Sequence, residues 1–179
     1  MIEKVGVIYG SHYGTTKLYA EWIAESLEAP VFEASEISKE RLQNFELLIF
    51  GGGLYASGIK GVKLLKEHSG ENLVLFTVGL ADPQATNYQP VLQHNLSDEQ
   101  LQNAKIFHLR GRIDYNNLSK MHRIMMTVKK KDVEKKMKLQ PNEEDREFLA
   151  TYNKKVDFLD RQTTVPLLDY VKKELNSHV

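Results

Sequence analysis

Lys4–Thr16 reads KVGVIYGSHYGTT, and the fold turns on how its three parts are read. Val5, Val7 and Ile8 make a short β-branched apolar run, the pattern of a buried parallel strand. The run stops at Gly10, and a loop of small and hydroxyl residues follows: Ser11, His12, Tyr13, Gly14, Thr15 and Thr16. Leu18, Tyr19, Trp22, Ile23, Ser26 and Leu27 then recur at three- and four-residue steps, which predicts an amphipathic helix whose apolar face, Trp22 included, enters the core. Strand, Gly/Ser/Thr loop and helix together bring unpaired backbone N–H groups and the positive end of a helix dipole to one point. Such a point accepts an anion, a phosphate above all. The competing reading is an ordinary strand–helix turn in which Ser and Thr merely cap the helix.

The loop contains neither GxxxxGK[ST], with its lysine for a nucleoside triphosphate, nor the GxGxxG spacing that admits a pyrophosphate. It offers hydroxyls from Ser11, Thr15 and Thr16, and Gly14 is free to open the backbone. Amides and hydroxyls without a committed cation suit a terminal monophosphate. The segment Ser11-His12-Tyr13-Gly14-Thr15-Thr16 resembles the phosphate loop of flavodoxins, a T/S-x-x-G-x-T pattern that grips the 5′-phosphate of FMN. The resemblance implies FMN as the cofactor and these six residues as contacts.

Four more strands are expected: Pro30 to Ala34 (PVFEA), Glu46 to Phe50 (ELLIF), Asn72 to Val78 (NLVLFTV) and Lys105 to Arg110 (KIFHLR). Helical segments separate them, at 38–44, 58–68 and 97–103, with Ser38 and Ser97 as N-caps. The alternation predicts an α/β three-layer sandwich, a flavodoxin-like parallel sheet of five strands in order 2-1-3-4-5, in one domain spanning residues 1–179. Ligands of such sheets bind at the strands' carboxyl ends. The loops expected there are Gly51–Gly58, where Gly53, Leu54, Tyr55 and Ala56 face a flat ring and Tyr55 is placed to stack on it, then Thr77, Val78 and Gly79, and finally the Gly111–Tyr115 stretch with Gly111 and Tyr115.

Residues 117–140 form a helical insertion after strand five. Met121, Ile124, Met125 and Val128 share one face. Between Lys120 and Lys138, eight Lys and Arg stand against Asp132 and Glu134, a local charge of +6 that leaves −6 on the rest of a formally neutral chain. Three readings stay open for this arm: a solvated helix packed on the domain by its Met/Ile face, a surface for an anionic membrane or a lipid-soluble quinone, and a lid over a flat acidic substrate. Further helices are expected at 143–153 and 163–176, with a short apolar piece at 156–159 between them. Residues 51–66 (GGGLYASGIKGVKLLK), 111–129 and the VDFLD…VPLLDYVKKEL ending resemble the menaquinone-dependent protoporphyrinogen dehydrogenase branch of flavodoxin-domain proteins. That likeness implies an FMN-dependent oxidoreductase that passes reducing equivalents from a protoporphyrinogen-like substrate to a quinone.

The flavin would carry the chemistry, so no catalytic side chain is assigned. The six histidines show no metal spacing and no Cys occurs, so no metal site or disulfide is expected. Neutral net charge and an arm without interleaved aromatics argue against nucleic acid. The absence of Cys and of a basic-then-apolar leader fits a cytoplasmic protein, with peripheral contact at the inner membrane face as the arm's option and an oligomer left open. Two other functions compete with the oxidoreductase: a flavodoxin-type one-electron carrier that docks on protein partners, and a flavin-free interaction module. Carriers of that type are strongly acidic, which this chain as a whole is not.

Overall fold

Alternating apolar positions and Gly- or Ser-marked boundaries become the elements of a computed structural model that describes residues 3–177. In chain order these are β1 (Glu3–Gly10), α1 (Thr15–Leu27), β2 (Val31–Glu33), α2 (Lys39–Leu42), β3 (Phe45–Tyr55), β4 (Gly58–Ile59), β5 (Leu73–Gly79), α3 (Gln89–Asn95), α4 (Asp98–Asn103), β6 (Lys105–Arg110), β7 (Arg112–Asp114), α5 (Lys120–Leu139), α6 (Glu143–Thr151), β8 (Lys155–Asp157) and α7 (Val165–Ser177). The chain divides into two compact units, one of residues up to Gly79 with 88–109 and those from Asp160 on, the other of 80–87 with 110–159.

The first unit carries the sheet, in order β2-β1-β3-β5-β6, with β4 paired to β3 alone. The path is the expected 2-1-3-4-5 once the small β4 is set aside. Strands β1 and β2, β1 and β3, and β3 and β5 pair in parallel. Period-two alternation divides their side chains between two cores. Ile8, Leu48, Phe50, Leu73 and Leu75 pack with Ile37, Leu42, Ile59, Val62, Leu65, Leu92 and Leu96. The intervening Val7, Ile49 and Val74 are buried on the other face, where α1 and α7 contribute the fully buried Tyr19, Ile23, Leu167 and Val171. The result is an α/β flavodoxin-like fold.

Three expectations change. Gly51–Gly53 are not a loop: β3 continues to Tyr55, and the glycines sit in the ladder between β1 and β5. Their missing side chains admit neighbours, since a Cβ at Gly51 would lie 2.0 Å from the Phe76 ring and one at Gly52 2.2 Å from Ile59 Cγ2. Residues 58–68 are not a helix but the return strand β4 and a 3₁₀ turn, Val62–Leu65. Gly61 at φ 80° breaks any continuous helix there, while the 3₁₀ spacing still buries Val62 and Leu65 together. Trp22 stands at the rim of the core rather than within it, edge-on to Tyr19 at 5.4 Å and capped by the Arg161 guanidinium at 6.0 Å.

The second unit holds the antiparallel pair β7–β8, the α5–α6 hairpin and residues 80–87. Arg110 ties it together. Its Nε and Nη2 donate to the Leu80 carbonyl at 3.0 and 2.8 Å, Nη2 also meets Glu147 Oε1 at 2.5 Å, and the guanidinium lies 3.6 Å from the Phe158 ring centre. α5 turns Val133 inward and sets Lys129 and Lys130 over the rings of Phe148 and Tyr152 at 4.6 and 5.1 Å.

Candidate functional site

Parallel register gathers the first three predicted loops at the carboxyl edge of the sheet. Gly10 is level with Gly52, Gly52 with Thr77, and Gly53 with Val78. Loop 11–16, the Gly53–Tyr55 end of β3 with Ala56 after it, and the Thr77–Gly79 end of β5 are therefore neighbours. The close approach is tight: a Cβ on Gly10 would stand 2.1 Å from the Lys60 carbonyl, and one on Gly79 would touch Leu54 Cδ1 at 3.1 Å.

Loop 11–16 is organised by its own hydroxyl and by Tyr55. Ser11 Oγ accepts the Gly14 N–H at 3.0 Å, and Gly14, at φ 84°, is the N-cap of α1. No side chain caps that helix, so the capping alternative for Ser and Thr is not what the loop adopts. Thr15 and Thr16 are instead buried in the first turn. The His12 N–H donates across to the Tyr55 hydroxyl at 3.0 Å. A Cβ on Gly53 would lie 3.0 Å from Thr16 Oγ1 and 3.1 Å from the same Tyr55 hydroxyl, so both oxygens converge over that α-carbon. The Tyr55 ring meets His12 edge-on at 5.5 Å and Tyr13 at a tilt at 6.3 Å. Burial raises the Tyr55 phenol, and the His12 and Tyr13 backbone N–H groups act in the opposite sense. Ala56 follows at φ 53° in the two-residue turn to Gly58.

One residue of this edge escaped the sequence reading. His108 Nδ1 lies 2.6 Å from Thr77 Oγ1, and the imidazole stacks on Tyr88 at 3.6 Å and 5°. Burial pulls it down to about 4, so it is neutral near pH 7. The signal was available, because alternation in KIFHLR puts His108 on the same face as Ile106, which packs against the core.

Gly111 and Tyr115 belong to the second unit and serve its own packing. The Gly111 carbonyl accepts the Phe158 N–H at 3.1 Å. Tyr115 is buried edge-on to Tyr152 at 5.2 Å, its hydroxyl pushed up to about 12 by that burial. Arg123 Nη2 donates to its carbonyl at 3.0 Å. On α5, Met121, Ile124 and Val128 are 70%, 65% and 54% exposed, so the Met/Ile face is not the face by which this helix packs. Among the described residues, which leave out His178, no cluster of metal-ligating side chains forms and no helix is long and apolar enough to cross a membrane.

Comparison with curated proteins yields no match. Similar solved structures include a flavodoxin from the domain Archaea, 17% identical over 60% of this chain and 83% of that one with a TM-score of 0.45. The two-electron reduced flavodoxin of Megasphaera elsdenii is 12% identical over 58% and 82%, with a TM-score of 0.45. The Trp repressor binding protein of Bacillus subtilis is 20% identical over 60% and 83%, with a TM-score of 0.43. The family pattern of the flavodoxin domain matches residues 6–140, well over half of the chain, and the chain belongs to that family.

Proposed function

We propose that the chain is an FMN-binding redox protein whose loop 11–16 holds the 5′-phosphate. The observation that carries this reading is the His12 N–H, aimed at an oxygen acceptor beside the buried Thr16 hydroxyl, at the start of a helix that no side chain caps. Amides, hydroxyls and a helix end without a cation fit a monophosphate. Leu54 and Tyr55 from β3, Ala56 from the turn after it, and Thr77–Gly79 from β5 would flank the ring. FMN, when bound, supplies the hydride and electron chemistry, while the chain positions it and sets the polarity around it.

For the activity, we favour an oxidoreductase that passes reducing equivalents from a protoporphyrinogen-like substrate to a quinone, over a one-electron carrier. The exposed Met121, Ile124, Met125 and Val128, with Lys120, Lys129, Lys131 and Lys135 on the same helix, support contact with an anionic membrane surface, the phase in which quinones dissolve.

The test is the visible spectrum of the purified protein, with the released flavin identified. One FMN per chain is expected, followed by quinone-dependent oxidation of protoporphyrinogen. FMN without that turnover, but with electron delivery to a protein acceptor, selects the carrier. A colourless protein that takes up no added FMN overturns both and leaves the interaction module.

A further inference from the structure

We propose that Tyr55 competes with phosphate for loop 11–16: its phenol oxygen takes the place of a phosphate oxygen on the His12 amide, and the ligand enters by displacing it. The inference rests on reading that loop as a phosphate site, and it concerns how the site is opened.

The geometry argues for this in three steps. First, the Tyr55 hydroxyl is not simply near the loop. It accepts the His12 N–H at 3.0 Å, and it converges with Thr16 Oγ1 over Gly53, where an oxyanion would be gripped. The phenol oxygen thus already holds, on that amide, the acceptor position that a phosphate oxygen would take. Second, the exchange has a direction. A phosphate offers charged oxygens to the amides and to the positive end of α1, and charge-assisted hydrogen bonds are about twice as strong as neutral ones. Third, Tyr55 is the last residue of β3, next to the turn of the β3–β4 hairpin. Ala56, the next residue, is held in that turn at φ 53°, a left-handed conformation that L-residues rarely adopt. Swinging Tyr55 away gives up neutral hydrogen bonds from the His12 and Tyr13 backbone N–H groups in exchange for charge-assisted ones to the ligand.

Two consequences follow. The apparent affinity for a phosphate ligand is lowered by the fraction of molecules in which Tyr55 is seated. A flavin without a phosphate, such as riboflavin, has nothing with which to displace the phenol from the loop.

The experiment compares the full chain with Tyr55→Phe, which keeps the ring and removes the oxygen. Each is titrated with inorganic phosphate, read by the His12 amide resonance, and with FMN and riboflavin, read by flavin fluorescence. Tyr55→Phe should bind phosphate and FMN about three- to tenfold more tightly, the equivalent of one hydrogen bond, and riboflavin should gain less than FMN does. Its His12 amide should also exchange faster before any ligand is added. Wild-type or weaker affinity for FMN and phosphate overturns the competition and leaves the phosphate loop standing. An equal gain for riboflavin overturns it in favour of a ring contact. If phosphate shifts the His12 amide in neither protein and FMN binds neither, the phosphate reading falls and the competition with it.

Discussion

In the sheet unit Val7, Ile8, Ile49, Phe50, Leu75 and Phe76 have no exposed surface, whereas in the other unit the buried apolar side chains among the described residues are Tyr115 and Val133. The first unit is held by close packing that extends to its glycines. The second is held by directed polar contacts: Arg110 on Leu80 and Glu147, lysines over Phe148 and Tyr152, and Arg123 on the Tyr115 carbonyl. Close packing tolerates little change in volume, while cation–ring and ion-pair contacts are individually small and partly screened. Substitutions in the first unit should therefore act through folding, and those in the second through what the surface can bind.

Gly51→Ala should break the contrast most sharply. Its methyl would stand 2.0 Å from the Phe76 ring in a ladder paired on both sides, and a loss of about 3 kcal/mol in urea unfolding is expected. A loss below about 0.5 kcal/mol would show that this sheet is not close-packed at its carboxyl edge.

The next effect depends on pH. His108 is held at about 4 against an ordinary 6.5, so the folded state resists a proton that the unfolded chain accepts. Its contribution is complete above about pH 6.5 and is lost as the pH falls toward 4, by about 2 kcal/mol. Urea midpoints measured across that window should fall, and His108→Gln should flatten most of the slope. His68, lowered by burial as well, would account for what remains. An identical slope in the variant would mean that the imidazole is not held neutral.

The smallest stability effect belongs to the arm. Changing Lys129, Lys130 and Lys131 together to Gln removes the two cation–ring contacts and should cost about 1 kcal/mol. The same change should abolish salt-sensitive sedimentation with phosphatidylserine vesicles. Undiminished sedimentation would remove the membrane from the account of this surface.

The same contrast explains what the sequence disclosed. VGVIYG, ELLIF and NLVLFTV are runs that only a doubly covered sheet can bury, so strand order and the carboxyl-edge loops were legible. The hairpin was not, because Ile59, Val62 and Leu65 repeat every three residues, which a 3₁₀ turn satisfies as well as a helix. α3 was missed although Pro90 at its start is a helix signal, and β7 and β8 are three residues each, too short for alternation to register. Tyr55 was legible as an aromatic at the site, but its hydroxyl contact with His12 spans 43 residues and has no local signature. The arm's lysines announced a charge, not that two of them lie over rings supplied by α6 and the residue that follows it.

Ile59 Cγ2 fills the notch that Gly52 leaves, at 2.2 Å from where a methyl would be. The two positions are thereby bound to one another in any history of substitution. An alanine at 52 is blocked while isoleucine stands at 59, whereas trimming 59 first removes that clash and leaves the Lys60 carbonyl, at 3.2 Å, as the nearest neighbour. Descendants of this chain should thus reach a larger residue at 52 by one order of steps and not by the other.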